Sequence, residues 1–281
     1  MEVYKTIKSL KEAISKHKEN QNNIGFVPTM GALHEGHLSL IKEAKKHTNI
    51  VVASVYVNPT QFNDPKDFEK YPRTLEDDLN ILEKNGTDIV FAPTNEEMYP
   101  EKDTRQFNFG NLETVMEGKH RPGHFNGVAQ VVSKLFDIVT PDVAVFGEKD
   151  FQQLAIIRSL VEQQNYPIKI IGAPIMREQD GLAMSSRNMR LNEKERKDAA
   201  HINAVLQESL FFTQKKSIEE LEQWVVESVN IKETLSVEYF EIVNARTLQK
   251  VSSWQENCDK IGCIAVFCGN VRLIDNIKYS F

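Results

Sequence analysis

Residues 26–41 read FVPTMGALHEGHLSLI. A short apolar run closes on Pro28-Thr29, turns at Gly31, and resumes with Leu38 and Ile41 at helical spacing, which is the signature of a strand feeding a helix. The same alternation continues downstream. NIVVASVYV at 49–57 is an almost continuous β-branched run, the pattern of a strand covered on both faces. RTLEDDLNILEKNG at 73–86 reads as a helix with a glycine exit and TDIVFAP at 87–93 as a strand. GVAQVVSKLFDIV at 127–139 is a helix, PDVAVFG at 141–147 a strand, DFQQLAIIRSLVEQQN at 150–165 a helix, and IKIIGAP at 168–174 a strand. Upstream, Ile7, Leu10, Ala13 and Ile14 recur among lysines as an opening amphipathic helix. Five buried strands separated by helices predict an α/β fold, a Rossmann-like doubly wound parallel sheet with ligands beyond the strand carboxyl ends.

After Pro174 the pattern changes. A polar loop leads into a long helix over the stretch 177–212, SIEELEQWVVESVN is a second helix, and LSVEYFEIVNA, IGCIAVFCG and VRLIDNIKY read as antiparallel strands. We expect a Rossmann-like domain over residues 1–175 and a smaller C-terminal α+β domain over 176–281.

A chain of 281 residues, 41% hydrophobic and 26% charged, can bury one large core or two moderate ones. Its net charge of −6 disfavours a broad nucleic-acid or anionic-membrane surface, while leaving room for a local basic pocket. The first twenty residues lack the apolar segment of a signal peptide and no later run has membrane-spanning length, so a cytoplasmic location is expected. Cys258, Cys263 and Cys268 have no fourth thiol to complete a zinc set and read as core thiols.

The turn between the first strand and its helix carries the chemistry. His34 and His37 fall in the first helical turn, where free backbone N–H groups favour phosphate, and Gly31 and Gly36 let a ligand approach closely. The alternative is a helix cap beside a solvated ring. HEGH is not HExxH, so the zinc pair is absent, and neither a Walker A loop nor a GxGxxG appears. Other strand ends add candidates. VNPTQFN places Asn58 and Gln61 to grip hydroxyl or carboxylate groups, or simply to turn the chain. LEDDL offers Glu76, Asp77 and Asp78 to hydrated magnesium, or as first-turn acids. FGEKDFQQL offers Gly147, Lys149, Asp150 and Gln153 to phosphate and ribose, or forms a capped helix with exposed charges. DGLAMSSRN brings two hydroxyls and Arg187 to a polyphosphate, or caps a helix. KHRPGHFNGV adds Lys119, Arg121 and His124 on another loop.

Together, PTMGALHEGH, VNPTQF, YPRTLEDD, FGEKDFQQL, RPGHFNGV and REQDGLAMSSRN closely resemble the pantothenate synthetase family, pantoate:β-alanine ligases of the nucleotidyltransferase superfamily, over essentially the whole chain. HEGH is similar to the family's HIGH-type signature and MSSRN to its KMSKS-like loop. The resemblance implies ATP-dependent condensation of pantoate with β-alanine to pantothenate, AMP and pyrophosphate through pantoyl adenylate. It assigns His34, His37, Lys149, Ser185, Ser186 and Arg187 to catalysis, with His37 as a proton donor. Met30, Gly36, Gly147, Asp150 and Met184 fall to ATP, and Met30, Asn58, Gln61 and Gln153 to pantoate. Asp77 and Asp78 would serve Mg2+, directly or through water. It further implies a homodimer with no nucleic-acid or membrane partner, and a second domain that closes over the site. The loop lacks both lysines of KMSKS, so Arg187 and Lys149 must supply the positive charge; this argues against an aminoacyl-tRNA synthetase. The nearest alternative is another adenylate- or cytidylyl-transferring enzyme of the superfamily, against which VNPTQF and FGEKDFQQL weigh.

Overall fold

The computed structural model describes residues 1–62 and 68–279. They divide into two compact units: Met1–Phe109, Arg121–Glu148 and Gln153–Pro174 form the first, and Gly110–His120, Lys149–Gln152 and Ile175–Phe281 the second.

The first unit is built on six parallel strands, β1 (Glu2–Tyr4), β2 (Ile24–Thr29), β3 (Ile50–Val55), β4 (Ile89–Phe91), β5 (Val143–Gly147) and β6 (Lys169–Ala173), in the order β1-β4-β3-β2-β5-β6. Among the described residues, the longer helices between them are α1 (Ile7–Glu19), α2 (Glu35–Lys45), α3 (Leu75–Lys84), α4 (His124–Val139) and α5 (Phe151–Gln163). From β2 the chain builds outward through β3 and β4, then returns to add β5 and β6 on the other side. The topological switch therefore lies between β2 and β5, where the carboxyl ends open a crevice. Val27, Val51, Ala53, Val90 and Val145 pack against Ile41, Ala44 and Leu82 of α2 and α3. Sequence reading anticipated five of the six strands. It passed over β1, which is three residues long at the sheet edge and mostly exposed, so it has no apolar run to announce it.

In the second unit, β7 (Leu235–Asn244), β8 (Lys260–Cys268) and β9 (Val271–Tyr279) form an antiparallel sheet as expected. Helices α6 (Glu193–Ser209) and α7 (Ile218–Val229) contribute Ile202, Val205, Leu206, Leu221 and Val225 to its core. Capping boxes begin both helices, Asn192 with Glu195 and Ser217 with Glu220. A bulge interrupts β7: Val237 faces Val266 and Tyr239 faces the next residue, Ala265, so Glu238 is the extra residue. All three cysteines are unpaired, with Cys263 and Cys268 buried.

Candidate active site

Because the strands of the first unit's sheet are all parallel, the connections that follow them leave at one carboxyl edge. The one after β2 is Met30–His34. Its backbone is unusual, since Gly31 has φ +79° and Ala32, which has a Cβ, has φ +51°. A non-glycine residue there costs about 1–3 kcal/mol and persists only when its surroundings hold it. Asp78 of α3 is what holds it. Its carboxylate, 1% exposed, accepts the Ala32 and Leu33 N–H groups at 3.0 and 2.8 Å and the Thr74 hydroxyl at 3.3 Å. A side chain on Gly31 would press the same carboxylate, with its Cβ 2.9 Å from Asp78 Oδ2.

This clamp delivers the histidines to the start of α2, where they form a capping box of imidazoles. His34 Nδ1 accepts the Gly36 N–H at 3.1 Å, and His37 Nδ1 accepts the His34 N–H at 3.3 Å. The rings lie 4.2 Å apart, tilted by 47°. A nitrogen that accepts carries no proton, so in both rings the N–H sits on Nε2. Capping and hydrogen-bond donation, set against each other by the sequence, thus use opposite nitrogens of one ring. The same geometry rules these two Nδ1 atoms out as metal ligands.

The connection after β3 folds Pro59–Gln61 into a 3-10 turn capped by Asn58. Asn58 is buried, and its amide is fully used: Nδ2 donates to Gln61 Oε1 and Gly127 O at 3.2 and 3.3 Å, while Oδ1 accepts the Thr60 and Tyr99 hydroxyls at 3.2 and 3.1 Å. Gln61 Nε2 in turn meets Met30 Sδ at 3.0 Å, and His124 Nδ1 lies 2.8 Å from the Gln61 carbonyl. The turn is therefore seated on α4, and Gly127 is what permits it. A Cβ at Gly127 would stand 2.4 Å from Thr60 O. Sequence reading missed the parts played by Gly127 and Tyr99. A glycine inside an apolar helical run was the available signal.

Past β5, Gly147 is half-buried, and a Cβ there would meet nothing nearer than Leu40 Cδ2 at 4.0 Å, so protein packing does not demand glycine. Gln153 is half-buried in the first turns of α5. A cavity of about 460 Å³ opens at the β2–β3–β4 strand ends, lined by Gly31, Tyr56, Arg73 and Asn95, and by Met30 and Asp78 of the expected set. Asp77 is exposed on α3. With Asp78 committed to the turn, these two carboxylates do not build a cation cage; among the described residues no group of three or more His, Cys, Asp or Glu side chains gathers to hold a metal. The structure thus gives Asp78 a clamping role on the Ala32 turn.

The second unit holds the other expected residues. Lys149 and Asp150 lie in a 3-10 turn with Nζ and Oδ2 4.0 Å apart, Lys149 half-buried and Asp150 exposed. The loop before Ser185 is a narrow antiparallel arm, bridged between Arg177 and Ala183 and closed by Met184 N–H to Met176 O at 3.0 Å. Ser185 caps the 3-10 turn Ser186–Arg190 by accepting the Arg187 N–H at 3.3 Å. Ser186 is buried and Arg187 half-buried.

The family profile described as pantoate-beta-alanine ligase matches residues 2–278. Pantothenate synthetases from Bacteroides thetaiotaomicron and Porphyromonas gingivalis are each 54% identical over 280 residues, covering 100% of this chain and 99% and 100% of theirs. The crystal structure of pantothenate synthetase from Thermus thermophilus superposes with a TM-score of 0.93 at 40% identity, covering 100% of both chains. That of pantoate-beta-alanine ligase from Francisella tularensis, complexed with beta-gamma ATP and beta-alanine, gives 0.83 at 35% identity and covers 99% of this chain and 98% of that one.

Proposed function

Because the chain belongs to the pantoate-beta-alanine ligase family, we propose how its own residues divide that family's work. The protein is an ATP-dependent ligase that joins pantoate to β-alanine, giving pantothenate, AMP and pyrophosphate through pantoyl adenylate. The pantoate carboxylate attacks the α-phosphorus and expels pyrophosphate. The β-alanine amine then attacks the acyl carbon and expels AMP. Neither step needs a nucleophile from the protein, so catalysis falls to positioning and charge stabilisation.

The observation that carries the assignment is the imidazole capping box. Two neutral Nε2–H donors fixed at a helix N-terminus can stabilise phosphoryl oxygens as negative charge grows there. A neutral His37 donates a hydrogen bond from Nε2 rather than the proton itself, which it could give up only as an imidazolate. Gln61 and Gln153 are assigned to pantoate with Met30 beside them, and Asn58 acts through Gln61, whose amide it holds. Gly36 and Gly147 admit the nucleotide, the latter because packing leaves its glycine otherwise unexplained. Asp150 and Met184 are assigned to the nucleotide, and Lys149, Ser185, Ser186 and Arg187 to its phosphates. Magnesium would arrive with ATP, held by phosphate oxygens and water, with Asp77 as the exposed carboxylate nearby in sequence. A cytoplasmic homodimer completes the proposal. The described residues contain no helix long and apolar enough to cross a membrane.

The test is pyrophosphate release from the purified protein with ATP, magnesium and pantoate, with and without β-alanine, alongside mass detection of pantothenate and AMP. We expect β-alanine-dependent pantothenate and AMP, with one pyrophosphate per turnover. Activation of another carboxylate, with no pantothenate, would overturn the substrate assignment.

A further inference from the structure

The last strand, β9, buries polar side chains on both of its faces. Asp275, 5% exposed, sits on the face that carries Leu273 and Ile277 into the core of the second unit. It binds Arg177 through two parallel bonds, Nη1 to Oδ2 at 2.7 Å and Nη2 to Oδ1 at 2.9 Å. Arg177 Nη1 also donates to Gly181 O at 3.1 Å, so Asp275 grips the base and the tip of the arm that ends at Ser185. On the opposite face Asn276, 4% exposed, donates Nδ2 to the backbone carbonyl of Lys149 at 3.1 Å. Arg272 shares that face and holds Glu117 at 2.6 and 2.9 Å. The Glu117 N–H then donates to Gln152 Oε1 at 2.9 Å, so the Lys149–Gln152 turn is fastened at both ends. The two anchors are also joined to each other, since Asp275 Oδ1 accepts the Asn276 N–H at 2.8 Å.

A buried ion pair rarely stabilises a fold more than well-packed apolar residues would, so stability alone does not explain an Asp–Arg fork here. Spacing does. Neighbouring residues of a strand are separated by about 3.3 Å and point to opposite faces, which fixes anything they hold in mutual register.

We propose that Asp275 and Asn276 are positioning residues for the adenylation step, setting the Ser185–Arg187 turn and the Lys149 turn at a fixed distance from one another. The inference rests on the reading of those two turns as the phosphate-facing groups. The donors that stabilise a phosphoryl transfer act only at the correct separation, and a misplacement of about 1 Å can cost about a hundredfold in rate.

Two double-mutant cycles on the full chain test this, read as the rate of pantoate-dependent pyrophosphate release with saturating and with limiting ATP. One pairs Asp275→Asn with Ser186→Ala, the other Asn276→Ala with Lys149→Ala. We expect each strand variant alone to lower kcat about tenfold or more, by misplacing donors of this kind. In the serine or lysine variant the same change should cost at least about threefold less than in the parent, because a group it positions is gone. Factors that simply multiply in both cycles would overturn the proposal and leave Asp275 and Asn276 as stabilising residues only. If Ser186→Ala and Lys149→Ala themselves leave the rate unchanged, the phosphate-facing reading fails and the proposal falls with it. Should Asp275→Asn not fold, Arg177→Lys keeps the charge but loses the fork, and the same non-multiplicative pattern with Ser186→Ala is expected.

Discussion

Replacing Gly127 by alanine isolates the seating of the Gln61 turn. The added Cβ would lie 2.4 Å from Thr60 O, 2.7 Å from its carbon and 2.9 Å from Gln61 Cα, where ordinary contact begins near 3.4 Å. All three atoms are backbone, so no side chain can swing aside and the turn must retreat by about 1 Å. Alanine in a helix interior is favoured over glycine by about 1 kcal/mol, whereas forcing a methyl group into a packed site costs about 1–3 kcal/mol. With backbone on the receiving side the upper part of that range applies, leaving a net loss of about 1–2 kcal/mol. For a chain of this size that lowers the melting temperature by about 2–8 °C. The functional loss should exceed the thermal one, because the displaced residues are those proposed to meet pantoate. Initial rates over a pantoate series should show kcat/KM for pantoate falling about ten- to a hundredfold while KM for ATP stays within about twofold. A Gly127→Ala protein that melts at or above the parent temperature, with unchanged kcat/KM for pantoate, would refute the packing argument.

His34→Asn keeps an acceptor for the Gly36 N–H but removes the Nε2 donor; we expect a melting temperature close to the parent and a loss of about 10²–10³ in pyrophosphate release, whereas a large melting shift with normal rates would reduce the ring to a cap. Asp78→Asn weakens the clamp on Ala32 and Leu33, and since the defect is geometric, raising magnesium tenfold should not restore the rate; restoration would return Asp78 to the ion. Burial raises the Glu222 carboxyl above its ordinary value, against the pull of the Ile242 N–H. A raised carboxyl stabilises the fold below its unfolded value and loses that contribution as pH climbs through its folded one. Glu222→Gln should therefore raise the melting temperature at pH 7, with the gain shrinking in acid; an equal gain at both pH values would contradict it.

Much of the frame was legible because its strands are nearly continuous apolar runs and its helices repeat at 3.6 residues. Four things were not. The β1 strand is too short and exposed to leave a pattern. The use of each imidazole nitrogen depends on hydrogen-bond geometry within one turn, so HEGH announces two rings but not which atoms cap and which donate. Asp78 and Asp77 are neighbours with the same side chain, yet one is sealed against the Ala32 turn and the other is exposed, a difference set by the rotation of α3 and by a contact 46 residues away in sequence. The polar anchors Asp275 and Asn276 lie in a stretch that reads simply as a strand, because their partners come from distant segments.

The bulge in β7 sets a rule for how this strand can change length. Core-facing residues fall on odd numbers before it, Leu235 and Val237, and on even numbers after it, Phe240 and Ile242. Deleting Glu238 would merge the two halves into one regular alternation and leave every apolar side chain on its own face, at the cost of the bonds from Glu238 to Arg272. Deleting Ser236 instead would put Leu235 and Val237 side by side and turn one of them out of the core. Among single-residue losses in the first half of this strand, removal of position 238 thus preserves which face each apolar side chain takes, whereas removal of its neighbour two places earlier does not.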